Sequence, residues 1–211
     1  MSEILATSIR NGELTLKIKV TNYNYLNRVL RSNSYEELMW IFMSTQNPAK
    51  EITESYAAYS NLKKHADLDK YTIIHVGDGG FPRTAGLFSF VTRSENHSVD
   101  PDLDQNGKTT AWIEKYKVKK LYLHPKMWQD TNIISDKPVI LVSVHGHIDL
   151  EECYNYYSKL GNNIRYIYSN PCCKPEQQTF SEKFMKENNI SIVKDKLDYG
   201  ILSEKKKNNY L

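Results

Sequence analysis

Polar and apolar residues alternate along Glu13–Val20, the period of a strand with one buried face. The period then lengthens. Asn22–Leu30 suits a short helix. After Ser34, the residues Tyr35, Leu38, Met39, Ile41 and Phe42 recur at helical spacing, and Glu37 stands where a capping box needs it. Pro48 opens a longer helical pattern that runs to about His65, with Ile52, Tyr56, Tyr59 and Leu62 along one face. Packing is the simplest use of that aromatic stripe.

Past residue 70 the chain changes to short apolar runs separated by turns and helical stretches. Tyr71–Val76, His97–Val99, Val118–Leu123, Val139–Val144, Ile164–Tyr168 and Ile190–Val193 read as strands. A helix is expected from Pro82 through Thr84–Val91. Another should open near Asp149, with Leu150, Cys153, Tyr154 and Tyr157 on one face. Near-continuous apolar strands alternating with helices predict an α/β fold, a mostly parallel sheet with helices on both faces. The expected organisation is a mainly helical extension over 1–69 packing on the core, an α/β domain over 70–204, and a basic tail over 205–211 containing Lys205–Lys207.

Composition narrows the function classes. The 211 residues are 40% hydrophobic and 25% charged, as in ordinary globular proteins. The longest apolar runs are too short to cross a bilayer, so no membrane role is expected. A net charge of +3 tolerates a nucleic-acid partner without requiring one. Three cysteines, two of them adjacent (Cys172, Cys173), predict no disulfide framework. With no signal-like apolar core in Met1–Arg10, they point to a reducing, cytoplasmic setting. Trp112 and Trp128 are expected to pack the core. Tyr116–Tyr122 reads as a strand with one wet face.

The densest chemical signal is Ile74–Arg83, IHVGDGGFPR. Gly77, Gly79 and Gly80 follow a strand and precede a helix. Such a turn brings backbone N–H groups close to a ligand at a helix N-terminus. Asp100 lies at the end of the next strand, where a carboxylate can accept from the two hydroxyls of a ribose. Turn and acid together point to an adenosine-containing cofactor. The dinucleotide pattern G-x-G-x-x-G fails at Pro82, and no Lys follows the glycines as a triphosphate loop requires. Asp78 is open to two roles, ligand contact or hydrogen bonding within the turn.

On these residues the chain resembles the Rossmann-like class I S-adenosylmethionine-dependent methyltransferases over about 70–195. Gly77 and Gly79 match the first two glycines of that superfamily's acid-x-Gly-x-Gly-x-Gly motif, and Asp100 matches its acid after the second strand. His75 replaces the motif's acid and Phe81 its third glycine. The resemblance implies a Rossmann-like sheet and S-adenosylmethionine as cofactor, held by Gly77, Asp78, Gly79, Gly80, Asp100 and, at the end of the third strand, His124. It implies methyl transfer to an acceptor that the sequence does not identify. The departures at His75 and Phe81 favour a second reading, a catalytically inactive Rossmann-like binding or structural protein that would act through a protein partner. An NAD or nucleotide-sugar enzyme would need a second substrate domain, for which 211 residues leave little room.

His145-Gly146-His147 follows the clearest strand. His145 is the candidate catalytic residue, a general base with a reference pKa near 6.5. No compact metal-ligand spacing occurs, and no metal is expected.

Overall fold

A computed structural model describes residues 3–10, 13–19, 24–43, 45–170 and 180–190. Strands β1 (Glu3–Arg10) and β2 (Glu13–Lys19) form an antiparallel pair. Helices α1 (Asn24–Leu30), α2 (Tyr35–Phe42) and α3 (Pro48–His65) follow. The core then alternates: β3 (Thr72–Val76), α4 (Arg83–Val91), β4 (Glu95–Val99), α5 (Lys108–Tyr116), β5 (Leu121–His124), β6 (Val139–Val144), α6 (Leu150–Lys159), β7 (Ile164–Asn170) and α7 (Glu182–Glu187).

The five core strands form one sheet in the order β5-β4-β3-β6-β7, and every pairing is parallel. Alternate residues of β3 and β6 supply its two faces. Ile73, Ile140 and Val142 meet Ala58 and Leu62 of α3 and Phe88 of α4. Ile74, Val139 and Leu141 meet Leu150, Cys153 and Tyr157 of α6 on the opposite face. Burying each such aliphatic side chain contributes about 1.5–3 kcal/mol. The expected α/β Rossmann-like architecture with helices on both faces is therefore the one observed. Trp112 and Trp128 are both buried, as expected. No helix among the described residues is long and apolar enough to cross a membrane.

Several local expectations need correction. The N-terminal region begins with a strand pair as well as helices, because Glu3–Arg10 pairs with the expected strand. Ser34 precedes α2 but its side chain makes no capping hydrogen bond, so the capping box is not formed. Helix α5 lies where no helix was expected. Its first turn is capped from a distance, by the Asp104 carboxylate accepting from Thr109 N (2.7 Å) and Thr110 N (3.2 Å). Tyr116–Tyr122 is not one strand: Tyr116 ends α5, Lys117 and Lys120 turn with φ of 51° and 58°, and β5 starts at Leu121. Cys172, Cys173, the basic tail and most of the sixth expected strand lie outside the described residues. Ile190, at its start, is not in a strand.

Candidate functional site

The chain runs β3, β4, β5 to one edge, then returns to β6 and β7 on the other side of β3. The order therefore reverses between β3 and β6, and in open α/β sheets ligands bind at the carboxyl edge of that reversal. Two loops meet there. Gly77–Gly80 leaves β3, and His145-Gly146-His147 leaves β6. They touch backbone to backbone: a Cβ on Gly77 would stand 2.6 Å from Gly146 Cα, and one on Gly146 would stand 2.7 Å from Val76 O. Gly77 and Gly79 have φ of 73° and 80°, the left-handed region that favours glycine. The two differ in surroundings. Gly77 is walled by Gly146, whereas a Cβ on Gly79 would meet nothing within 4 Å.

Asp100 fixes the turn from the neighbouring strand. Its Oδ2 accepts from Gly79 N at 2.9 Å and its Oδ1 from Asp102 N at 2.8 Å. Gly80 O accepts from Asp104 N at 3.1 Å, closing the contact between the two loops. A carboxylate oxygen has two lone pairs, so both oxygens retain acceptor capacity after these bonds. Asp100 is half-buried.

Asp78 points inward. Its Oδ1 accepts from Thr84 N (3.1 Å), and its Oδ2 from Ala85 N (3.1 Å) and Ser98 Oγ (3.0 Å). It therefore caps the first turn of α4, a role Pro82 at the N-cap position cannot fill. Of the two roles open to Asp78, the geometry shows hydrogen bonding within the turn. Burial pushes its carboxyl upward from the ordinary value, while hydrogen bonds from Ala85, Thr84 and Ser98 favour the anion. Asp78→Ala would strip a half-buried cap from two N–H groups and a hydroxyl. A loss of about 2–4 kcal/mol is expected, read from urea unfolding midpoints.

The two departures from the glycine motif have structural reasons. His75 is 1% exposed, packs edge-on against Phe88, and its Nε2–H donates to Asn96 Oδ1 at 3.1 Å. That tautomer follows from the amide, whose Nδ2 is used on Ser94 O. Burial lowers the His75 pKa to about 4, so the side chain is neutral. Phe81 lies edge-on to Trp40 and beneath the Arg83 guanidinium.

His124 is not at the glycine turn. The parallel register sets Val99 opposite His124, and the His124 ring stacks on His97 with Nε2 3.0 Å from His97 Nδ1. Desolvation lowers both pKa values, that of His97 to about 4, and one ring donates to the other. The His124 backbone meets the Asp100 loop, its O accepting from Asp100 N at 3.3 Å.

His145 does lie at the reversal point. Its backbone is left-handed, with φ of 58°, and its N donates to Asn170 O of β7 at 3.0 Å. Its Nε2 stands 2.5 Å from Oε2 of Glu54, a residue of α3 whose side chain is 3% exposed. Lys50, one turn earlier, places Nζ 3.4 Å from the same oxygen. The sequence reading missed Glu54. The available signal was helical register, since Glu54, Ala58 and Asn61 share the buried side of α3. Among the described residues no group of three or more His, Cys, Asp or Glu side chains could hold a metal ion.

No protein-family model and no curated protein matches the chain. Among solved structures it is similar to a mutant of MtNAS in complex with S-adenosylmethionine, at 14% identity and a TM-score of 0.46. That match covers 78% of this chain and 66% of the other, so this chain spans just under two thirds of that protein's length. An rRNA methylase from Streptococcus thermophilus is similar at 12% identity and a TM-score of 0.35, covering 56% of this chain and 69% of that one. Coclaurine N-methyltransferase bound to N-methylheliamine and SAH follows at 9% and 0.40, covering 70% and 47%. At these scores none of them assigns a residue. The Rossmann-like class of the protein rests on its own strand order and parallel pairings.

Proposed function

We propose that this protein binds S-adenosylmethionine at the carboxyl edge of the sheet and acts as a methyltransferase-like enzyme. One observation carries the reading: Gly79 sits in left-handed backbone with open space opposite it, bonded to a half-buried Asp100 carboxylate, where the strand order reverses. Asp100 would accept from the ribose hydroxyls with its remaining lone pairs, and the Gly79 and Gly80 backbone would line the adenosyl group. Asp78 supports the turn from beneath and does not touch the ligand. His124 is left out of the binding set, its ring being engaged with His97. Bound S-adenosylmethionine supplies an electrophilic methyl group on a sulfonium. The chain's part is to orient the acceptor and exclude water, with His145 as the proton acceptor.

The test is calorimetric titration with S-adenosylmethionine, repeated on Asp100→Ala. Binding on the order of micromolar is expected for the wild type, weakened by at least about tenfold in the variant. No heat at millimolar ligand overturns the reading. That result would favour the second one, an inactive Rossmann-like binding protein, which the burial of His75 and the Phe81–Trp40 contact support.

A further inference from the structure

Strand β5 stands at the edge of the five-stranded sheet, and its two faces differ. Leu121 and Leu123 turn to one side and join the apolar cluster around Trp112 of α5. Tyr122 and His124 turn to the other. On that side α6 packs on Ile74 of β3 and on Val139 and Leu141 of β6, and Tyr122 is left 46% exposed. The register sets Tyr122 opposite His97 of β4, and three rings form a row. His97 stacks on Tyr122 (centroids 4.9 Å apart, planes 23° apart) and on His124 (5.2 Å, 27°). The hydrogen bond of 3.0 Å between His97 Nδ1 and His124 Nε2 fixes the row. Among the described residues no strand pairs with the outer edge of β5, so none stands beside the Tyr122 ring face turned away from His97.

The charge around this row is one-sided. Residues 115–126 hold Lys115, Lys117, Lys119, Lys120 and Lys126 and no aspartate or glutamate, in a chain whose net charge is only +3. All five lysines are exposed. Glu95, on the same face of β4 as His97, is paired with Lys137 at 3.7 Å. A fixed, solvent-facing aromatic row set among cations matches the two chemistries of a single nucleic-acid strand, flat bases and phosphates. We propose that the Tyr122–His97–His124 face is a docking surface for single-stranded nucleic acid, with an unpaired base stacked on Tyr122 and these lysines drawn to the phosphates. The surface stands apart from the glycine turn and does not depend on a cofactor. It meets the Asp100 loop where His124 O accepts from Asp100 N, so on the methyltransferase reading, and resting on it, the acceptor is a nucleic acid.

Fluorescence anisotropy of a labelled oligouridylate of about twelve nucleotides tests it. The full chain should bind at low salt with Kd on the order of micromolar, and raising salt from 50 to 200 mM should weaken binding roughly 20- to 50-fold if three or four phosphates are held. Tyr122→Ala should weaken binding about tenfold or more, and Tyr122→Trp should restore it. Lysines on an edge strand also guard it against pairing with other strands. That use needs no stacking, so an unchanged Kd in Tyr122→Ala overturns the proposal, as does no binding, or equal affinity for a duplex of the same length. Should Tyr122→Ala fail to fold, the wild type decides: photocrosslinking to 5-iodouridine in the same oligomer should mark Tyr122, and adducts confined to residues outside β4 and β5 overturn the surface. A dimer in sedimentation that Tyr122→Ala disperses, with no oligomer bound, makes this face a seam between copies and also overturns it. Oligomer binding without any heat from S-adenosylmethionine leaves the surface standing and sinks the methyltransferase reading alone.

Discussion

Gly77→Ala is expected to destabilise the protein by about 2–5 kcal/mol, while Gly79→Ala costs only about 1–2 kcal/mol yet abolishes S-adenosylmethionine binding. Both positions have positive φ, so each variant bears the backbone penalty of roughly 1–2 kcal/mol for an L-residue in left-handed conformation. They part on sterics. The methyl on Gly77 would meet the Gly146 Cα at 2.6 Å, and that contact is backbone against backbone, with no flexible end to yield. Relief requires the β6–α6 loop to move, at a cost typical of overpacking a tight site, about 1–3 kcal/mol. The methyl on Gly79 enters the open space in which the adenosyl group is proposed to lie. Urea midpoints and calorimetry on the two variants separate scaffold from ligand wall. Equal stability losses, or ligand binding retained in Gly79→Ala, would remove Gly79 from the binding surface.

Acid should unfold the protein earlier than its carboxylates alone would require. His75 titrates near 6.5 when unfolded but near 4 when folded. Its Nε2–H is committed to Asn96, and Nδ1 is buried without a hydrogen-bond partner. A second proton would place a charge in a buried site against Phe88. Because the folded pKa is depressed for a base, the unfolded state binds more protons between those values. Stability is therefore complete above pH 6.5 and falls as pH drops toward 4, by about 3 kcal/mol from His75 alone. His97, also lowered to about 4, acts in the same direction. The urea midpoint of the wild type should fall steeply from pH 7 to 4.5. In His75→Gln, whose amide can still donate to Asn96 but does not titrate, the slope should be distinctly shallower. Parallel slopes would show that His75 is not the group responsible.

The features legible in the sequence are those whose causes are local. Apolar runs bounded by turns marked β3, β6 and β7, and the spacing from Gly77 to Asp100 placed the acid beside the turn it holds. What escaped depends on partners far along the chain. Helix α5 buries little beyond Thr109 and Trp112, and its cap, Asp104, acts five and six residues ahead, outside the usual capping spacing. His124 looked like a cofactor residue because it ends a strand. Only the parallel register of β4 and β5 shows that its ring faces His97, 27 positions away. Glu54 lies 91 residues before its histidine, on a helix whose aromatic stripe drew attention to a different side. Asp78 reads equally well in sequence as ligand contact or turn acceptor, because its donors on Thr84, Ala85 and Ser98 lie 6, 7 and 20 residues away.

Helix α3 covers Ile73, Phe88, Ile140 and Val142 with Ala58 and Leu62, and it also delivers Glu54 to the sheet edge. A shortened chain starting at residue 70 would therefore lose in one cut both an apolar roof and the carboxylate that stands beside His145. Such a fragment would show sticky β-sheet to solvent and so aggregate rather than serve as a minimal cofactor-binding unit. The segment that looks like an appendage in the linear sequence thus roofs one face of the sheet through α3.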